Sequence, residues 1–165
     1  MTGRQPTKVC IVYPADPAGV IPGGIDTFIR GILRWAPSDI EISLVGVTTD
    51  QDARPVGQWT LCDLGRTKFK FFPVINLNNP AGRSKIPLSL RFSMGLVRKH
   101  PNIDAVVLEF HRLEPSLVYF RDKRPRTAIV HQNMLNLANK QSDILWSRFP
   151  GFFFWLEDRL IPLFT

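Results

Sequence analysis

The chain has 165 residues, of which 44% are hydrophobic and 21% charged, with 21 Lys and Arg against 14 Asp and Glu. That length suits one domain with its own core, and the composition excludes a disordered or collagen-like chain. The net charge of +7 points to anionic partners: nucleic acid, phosphorylated small molecules or an acidic membrane face.

Apolar stretches such as Phe152 to Leu156 are far too short to span a bilayer. Met1 to Lys8 is polar, so the sequence reads as lacking a signal peptide. Cys10 and Cys62 form no disulfide framework and have no metal-ligand spacing. Cys10 sits in an apolar run and reads as a buried free thiol, which suits a reducing, cytoplasmic setting.

Lys8 to Tyr13 (KVCIVY) has the apolar run of a buried parallel strand. Pro14 to Gly24 holds three prolines and three glycines and reads as a loop. Ile25, Phe28, Ile29, Ile32 and Leu33 then recur at helical spacing, with Asp26 in the first turn and Pro37 marking the end. Ile40 to Val47 is a second strand, which completes a βαβ unit.

Arg54 to Leu64 and Thr67 to Ile75 read as further, less regular strands, and Asn76 to Lys85 as a polar loop. Leu88 to Arg98 carries two adjacent apolar rows of a helix. His100, before Pro101, reads as a capping or surface group. Asp104 to Phe110 is a strand ending at His111, Pro115 to Phe120 begins a short helix, and Thr127 to Val130 is a strand ending at His131. The last third reads as helical, with Phe149 to Phe164 almost wholly apolar. Arg121, Lys123, Arg124 and Arg126 form the one dense basic run; it reads as a solvated loop and carries no nucleic-acid motif.

Strands alternating with helices define an α/β class: a Rossmann-like, mostly parallel sheet with helices on both faces. Such sheets bind ligands beyond the carboxyl ends of their strands, which directs attention to Pro14–Gly24, His111–Glu114 and His131–Met134. Gly23 and Gly24 precede a helix N-terminus, where bare backbone and unpaired N–H groups suit a diphosphate. A tight turn needing positive φ is the rival explanation of the pair. His111 and His131 each end a strand. If those strands are neighbours, both imidazoles reach one crevice, as hydrogen-bonding or acid–base groups or as structural histidines. Arg112, Glu114, Gln132 and Asn133 follow them and suit a polyhydroxylated ligand, although Gln132 and Asn133 are also good helix caps. There is no G-x-S-x-G elbow and no metal cluster in the sequence.

Three stretches together resemble the amino-terminal domain of the retaining glycosyltransferases of family four, which have the two-domain GT-B fold. They are KVCIVYPADPAGVIPGGIDTFIRGI, DAVVLEFHRLEPSLVYF and TAIVHQN; the later WLEDRLIPLF is similar to the helix before that domain's last strand. The resemblance implies a nucleotide-sugar donor as co-substrate, no cofactor and no required metal. It implies that Gly23 and Gly24 approach the donor diphosphate, and that His131 faces the transferred sugar. It implies that His111, Arg112, Glu114, Gln132 and Asn133 line the acceptor side.

The family's second domain supplies two glutamates separated by seven residues. The four glutamates here, Glu41, Glu109, Glu114 and Glu157, include no such pair. The chain is therefore expected to be one acceptor-side domain over residues 1–165, lacking the donor-binding domain and inert alone. Its expected setting is polysaccharide or glycolipid synthesis in the cytoplasm, with a sugar or lipid-linked acceptor, peripheral contact with an acidic membrane, and no nucleic acid. The apolar tail would pack on a partner domain, another protomer, a membrane face or this domain's own core. The alternative is a non-catalytic α/β ligand-binding or interaction module.

Overall fold

A computed structural model describes residues 5–19, 24–65, 67–78 and 86–128, together with Gly151, Trp155 and Arg159. Its elements run β1 (Thr7–Val12), α1 (Gly24–Trp35), β2 (Ile40–Thr48), β3 (Thr60–Asp63), β4 (Lys68–Asn76), α2 (Leu88–Lys99), β5 (Val107–Phe110), α3 (Leu113–Val118) and β6 (Arg126–Ala128). The six strands form one sheet in the order β3-β4-β2-β1-β5-β6. Every neighbouring pair is parallel except β3 with β4.

The apolar runs of β1 and β2 arise because both faces of the central strands are covered. On one face Ile11, Leu44 and Phe71 pack with Ile29 and Leu33 of α1. On the other, Cys10, Val12, Val45 and Phe72 pack with Phe92 and Leu96 of α2, and Val118 and Tyr119 at the end of α3 join them. The α/β, Rossmann-like architecture with helices on both faces is thus present. The chain moves outward from β1 through β2 to β4, then returns to the other side of β1 for β5 and β6. Crossovers in opposite directions, each right-handed, put their helices on opposite faces. The reversal lies between β1 and β5, and a reversal opens a crevice at the strands' carboxyl ends.

Four local features differ from the sequence expectations. Residues 54–59 are turns and loop, and only Thr60–Asp63 pairs, antiparallel, with β4. The strand expected from Asp104 begins at Val107, although the Val106 amide still donates to the Lys8 carbonyl at 2.9 Å. α3 begins at Leu113, before Pro115, because a first-turn proline lacks only an N–H that would have had no helical partner. The basic run is not simply solvated. Arg124 grips Asp122 and donates to the carbonyls of Ile103 at 2.8 Å and Ala105 at 3.3 Å, and Arg126 donates to the Tyr119 carbonyl at 2.8 Å. These two arginines tie the β5–β6 connection together, while Arg121 and Lys123 are exposed.

His100 caps α2, as its place before Pro101 suggested. It is exposed, adopts the left-handed conformation (φ 40°) and donates its amide to the Leu96 carbonyl at 3.0 Å. Cys10 is a free, fully buried thiol whose pKa burial pushes up to about 12. Gly151, Trp155 and Arg159 are helical and exposed; the rest of the apolar tail lies outside the described residues. Among the described residues, no helix is long and apolar enough to cross a membrane.

Candidate functional site

The parallel register pairs Val12 with Phe110, so the next residues, Tyr13 and His111, leave their strands side by side at the reversal point. Their rings meet edge to face at 5.9 Å and 83°. Phe28, from the first half of α1, closes on the same imidazole at 5.6 Å and 68°. The His111 side chain is fully shielded from solvent, and Glu109 Oε1 lies 2.8 Å from its Nε2. Glu109 is two residues earlier on β5 and so on the same face of the strand.

Tyr13 reaches its position because β2 carries a glycine there. A Cβ on Gly46 would stand 2.3 Å from the Ala15 carbonyl oxygen and 2.9 Å from the Phe71 ring. With hydrogen in its place, the chain leaving β1 lies against β2, bonding Tyr13 N to the Val45 carbonyl and Val47 N to the Ala15 carbonyl, both at 3.1 Å.

Arg112, the N-cap of α3, lays its guanidinium over the Tyr13 ring at 5.7 Å. Its Nε is withdrawn from solvent and has no hydrogen-bond acceptor among the described residues; the same holds for Arg30 Nη2 on α1. Asp26, one helical turn before Arg30, is part of the same electrostatic group. Burial holds its carboxyl above the usual range, against the opposing charges of Arg30 and Arg112. The Tyr13 phenol is likewise raised, first by burial, with Arg112 opposing. Glu114, in the first turn of α3, is buried.

A second polar knot lies a few residues along the same loop. Asp16 is buried and accepts from the Ala18 amide at 3.0 Å, the Thr49 amide at 2.7 Å, the Thr49 hydroxyl at 2.6 Å and Arg54 Nη2 at 3.3 Å. Burial opposes its ionisation, but these donors outweigh burial and hold the carboxyl below its usual range. The knot bolts the loop after β1 to the loop after β2.

Of the residues expected at the site, Gly24, His111, Arg112 and Glu114 are described, and all four lie at the carboxyl end of the sheet. Gly24 is the first residue of α1 and is exposed. Apart from its own helix and chain neighbours, no heavy atom of the described residues lies within 4 Å of where its Cβ would be, and among the described glycines with positive φ, Gly57 and Gly65, it does not appear. Gly23, His131, Gln132 and Asn133 lie outside the described residues. The condition set for the two histidines, that β5 and β6 be neighbours, is met.

The sequence reading did not single out Tyr13, Asp16 or Arg30. Two signals were available: a glycine inside an apolar strand (Val45-Gly46-Val47), and an acid inside a proline- and glycine-rich loop (Asp16). Among the described residues, no three His, Cys, Asp or Glu side chains are gathered as a metal ion would need. Among the described residues this arrangement brings together two guanidinium groups with N–H positions that meet no acceptor, the N-terminus of α1 and an aromatic wall, groups whose chemistry suits an anionic, hydroxylated ligand. Comparison with protein-family models, with curated protein sequences and with solved structures returned no match.

Proposed function

We propose that this domain is the amino-terminal, acceptor-side half of a retaining glycosyltransferase of the GT-B type. It would use a nucleotide-diphosphate sugar in polysaccharide or glycolipid synthesis. The observation that carries this reading is the meeting, at the reversal between β1 and β5, of the start of α1, Tyr13 and His111–Arg112. A crevice there, with guanidinium N–H groups that meet no acceptor among the described residues, is suited to a ligand that is both anionic and hydroxylated.

In the complete enzyme, the space at Gly24 admits the donor diphosphate against the N-terminus of α1, which stabilises the leaving group. Gly23 shares that role. Glu114 holds the acceptor, and Arg112, whose charge also reaches Asp26 in the first turn of α1, stands between acceptor and diphosphate and contacts both, with His111 behind them as a buried orienting group. His131, Gln132 and Asn133 keep the parts that the resemblance implies, His131 nearest the anomeric carbon. The free thiols of Cys10 and Cys62 support a cytoplasmic location.

A non-catalytic α/β binding module is the second reading, favoured by the complete shielding of the His111 side chain. Titration calorimetry of the protein carrying this domain against a panel of nucleotide sugars tests the first. One of them should bind, and Arg112→Ala should weaken that binding at least about tenfold, the loss of one charged hydrogen bond. No heat with any member of the panel would refute the proposal. Turnover preserved in His131→Ala would favour the second reading.

A further inference from the structure

β3 covers only the first half of β4, ending its pairing at Phe71. Beyond it, Val74 and Ile75 form the floor of an open groove of about 410 Å³ against α2. The helix lies close to the strand because Gly95 faces it, and a Cβ there would stand 3.0 Å from both Val74 and Ile75. Phe92 and Leu96 already satisfy the core on the inner side of α2. Yet the helix carries a second apolar stripe that the core does not use: Met94 is 45% exposed and Val97 51%, and Ile86 just before the helix is 46% exposed.

Three cations, Arg91, Arg98 and Lys99, stand around this stripe and line the groove. None of them is in an ion pair among the described residues, and no carboxylate lines the groove. α2 itself contains no acidic residue. On the sheet, by contrast, Lys8 pairs with Asp104 and Lys70 with Glu41. Single exposed apolar side chains are ordinary, but an apolar stripe bordered by unneutralised cations is the pattern of a helix lying in a membrane interface. Among the described residues, the groove's lining carries no hydroxyl, amide or aromatic side chain of the kind that would read a peptide.

We propose that α2 and the groove beside it form a docking face for an anionic phospholipid bilayer. Met94, Val97 and Ile86 enter the headgroup boundary, and Arg91, Arg98 and Lys99 meet the lipid phosphates. This inference gives the expected contact with an acidic membrane a defined face; because the groove is built on β4 and α2 rather than on the β1–β5 crevice, its failure and the failure of the glycosyl-transfer reading are distinguishable.

Co-sedimentation of the 165-residue chain with phosphatidylcholine vesicles, with and without phosphatidylglycerol, tests it. The chain should pellet with the anionic vesicles only, and added salt should release it. Replacing Arg91, Arg98 and Lys99 together by Gln should lower partitioning roughly a hundredfold, at about fivefold per cation near an anionic surface. The exposed single changes Arg98→Gln and Lys99→Gln should each cost about fivefold and leave folding undisturbed. Met94→Ser with Val97→Ser should cost about tenfold more. Trp155→Ser, on the exposed tail helix, should have little effect.

Failure to bind anionic vesicles, equal binding to neutral ones, or unchanged partitioning of the two single variants would overturn the proposal. So would loss of binding through Trp155→Ser alone, or a solution dimer that Met94→Ser with Val97→Ser dissociates. Binding of nucleotide sugars is unaffected by any of these outcomes.

Discussion

Two buried polar clusters sit on one loop, three residues apart, and they differ in how their hydrogen bonds close. Asp16 takes four donors, and its neighbours Thr49 and Ala18 are satisfied by it. Only Arg54 Nε, at its margin, lacks an acceptor among the described residues. Around Tyr13 the balance is reversed: among the described residues, Arg30 Nη2 and Arg112 Nε are shielded and meet no acceptor, and Asp26 is held above its usual pKa range. A closed network fastens a fold, whereas an open one holds valences that a ligand can fill. The same strand end therefore carries a structural lock and a candidate binding wall.

Breaking the lock should have the largest effect. Asp16→Ala strands the Thr49 hydroxyl and Arg54 in a buried place and should cost about 3 kcal/mol in urea unfolding, the cost of breaking a buried charged network. Gly46→Ala comes next, at about 2–3 kcal/mol, because its Cβ would press on the Ala15 carbonyl and force Tyr13 out of line. It should weaken ligand binding as well as stability.

The two carboxyls should also be separable by pH. The Asp16 carboxyl is held below its ordinary 3.8, so its stabilisation is complete above that value and is lost as pH falls through the lower folded value. Asp26 is held above 3.8, so the folded state binds its proton more tightly than the unfolded chain does, and stability falls as pH rises through the range just above 3.8. Asp26→Asn should remove that fall in a pH series of unfolding curves, and Asp16→Asn should flatten the acid limb instead.

Much of this fold was legible because local pattern and tertiary role agree. The runs at Cys10–Val12 and Leu44–Val47 had to be strands buried on both faces, and the spacing of Ile25, Ile29 and Leu33 could serve only one helix face. The elements that shifted, β3 and the start of β5, lie at the sheet's margin or at strand ends, where pairing rather than composition decides. At the site, His111 and Arg112 could be found because strand ends are where α/β sheets bind. Tyr13 and Asp16 left only indirect signals, because their roles come from partners 33 to 98 residues away, as Asp16–Thr49 and Tyr13–His111 illustrate.

Smaller effects would sharpen the contrast. Arg112→Ala removes a cation from the Tyr13 ring and should cost about 1 kcal/mol or less of stability while abolishing much of the ligand binding. Lys8→Ala, which breaks an exposed pair with Asp104, should leave the melting temperature unchanged.

The most direct test of the crevice is a nitrogen-15 amide spectrum of the domain titrated with a nucleoside diphosphate. The account predicts shifts concentrated at Gly24–Phe28, Tyr13 and His111–Glu114, with Asp16, Thr49 and the α2 amides still, and their disappearance in Arg112→Ala. Shifts confined to other surfaces, or a spectrum that does not move at saturating nucleotide, would contradict it.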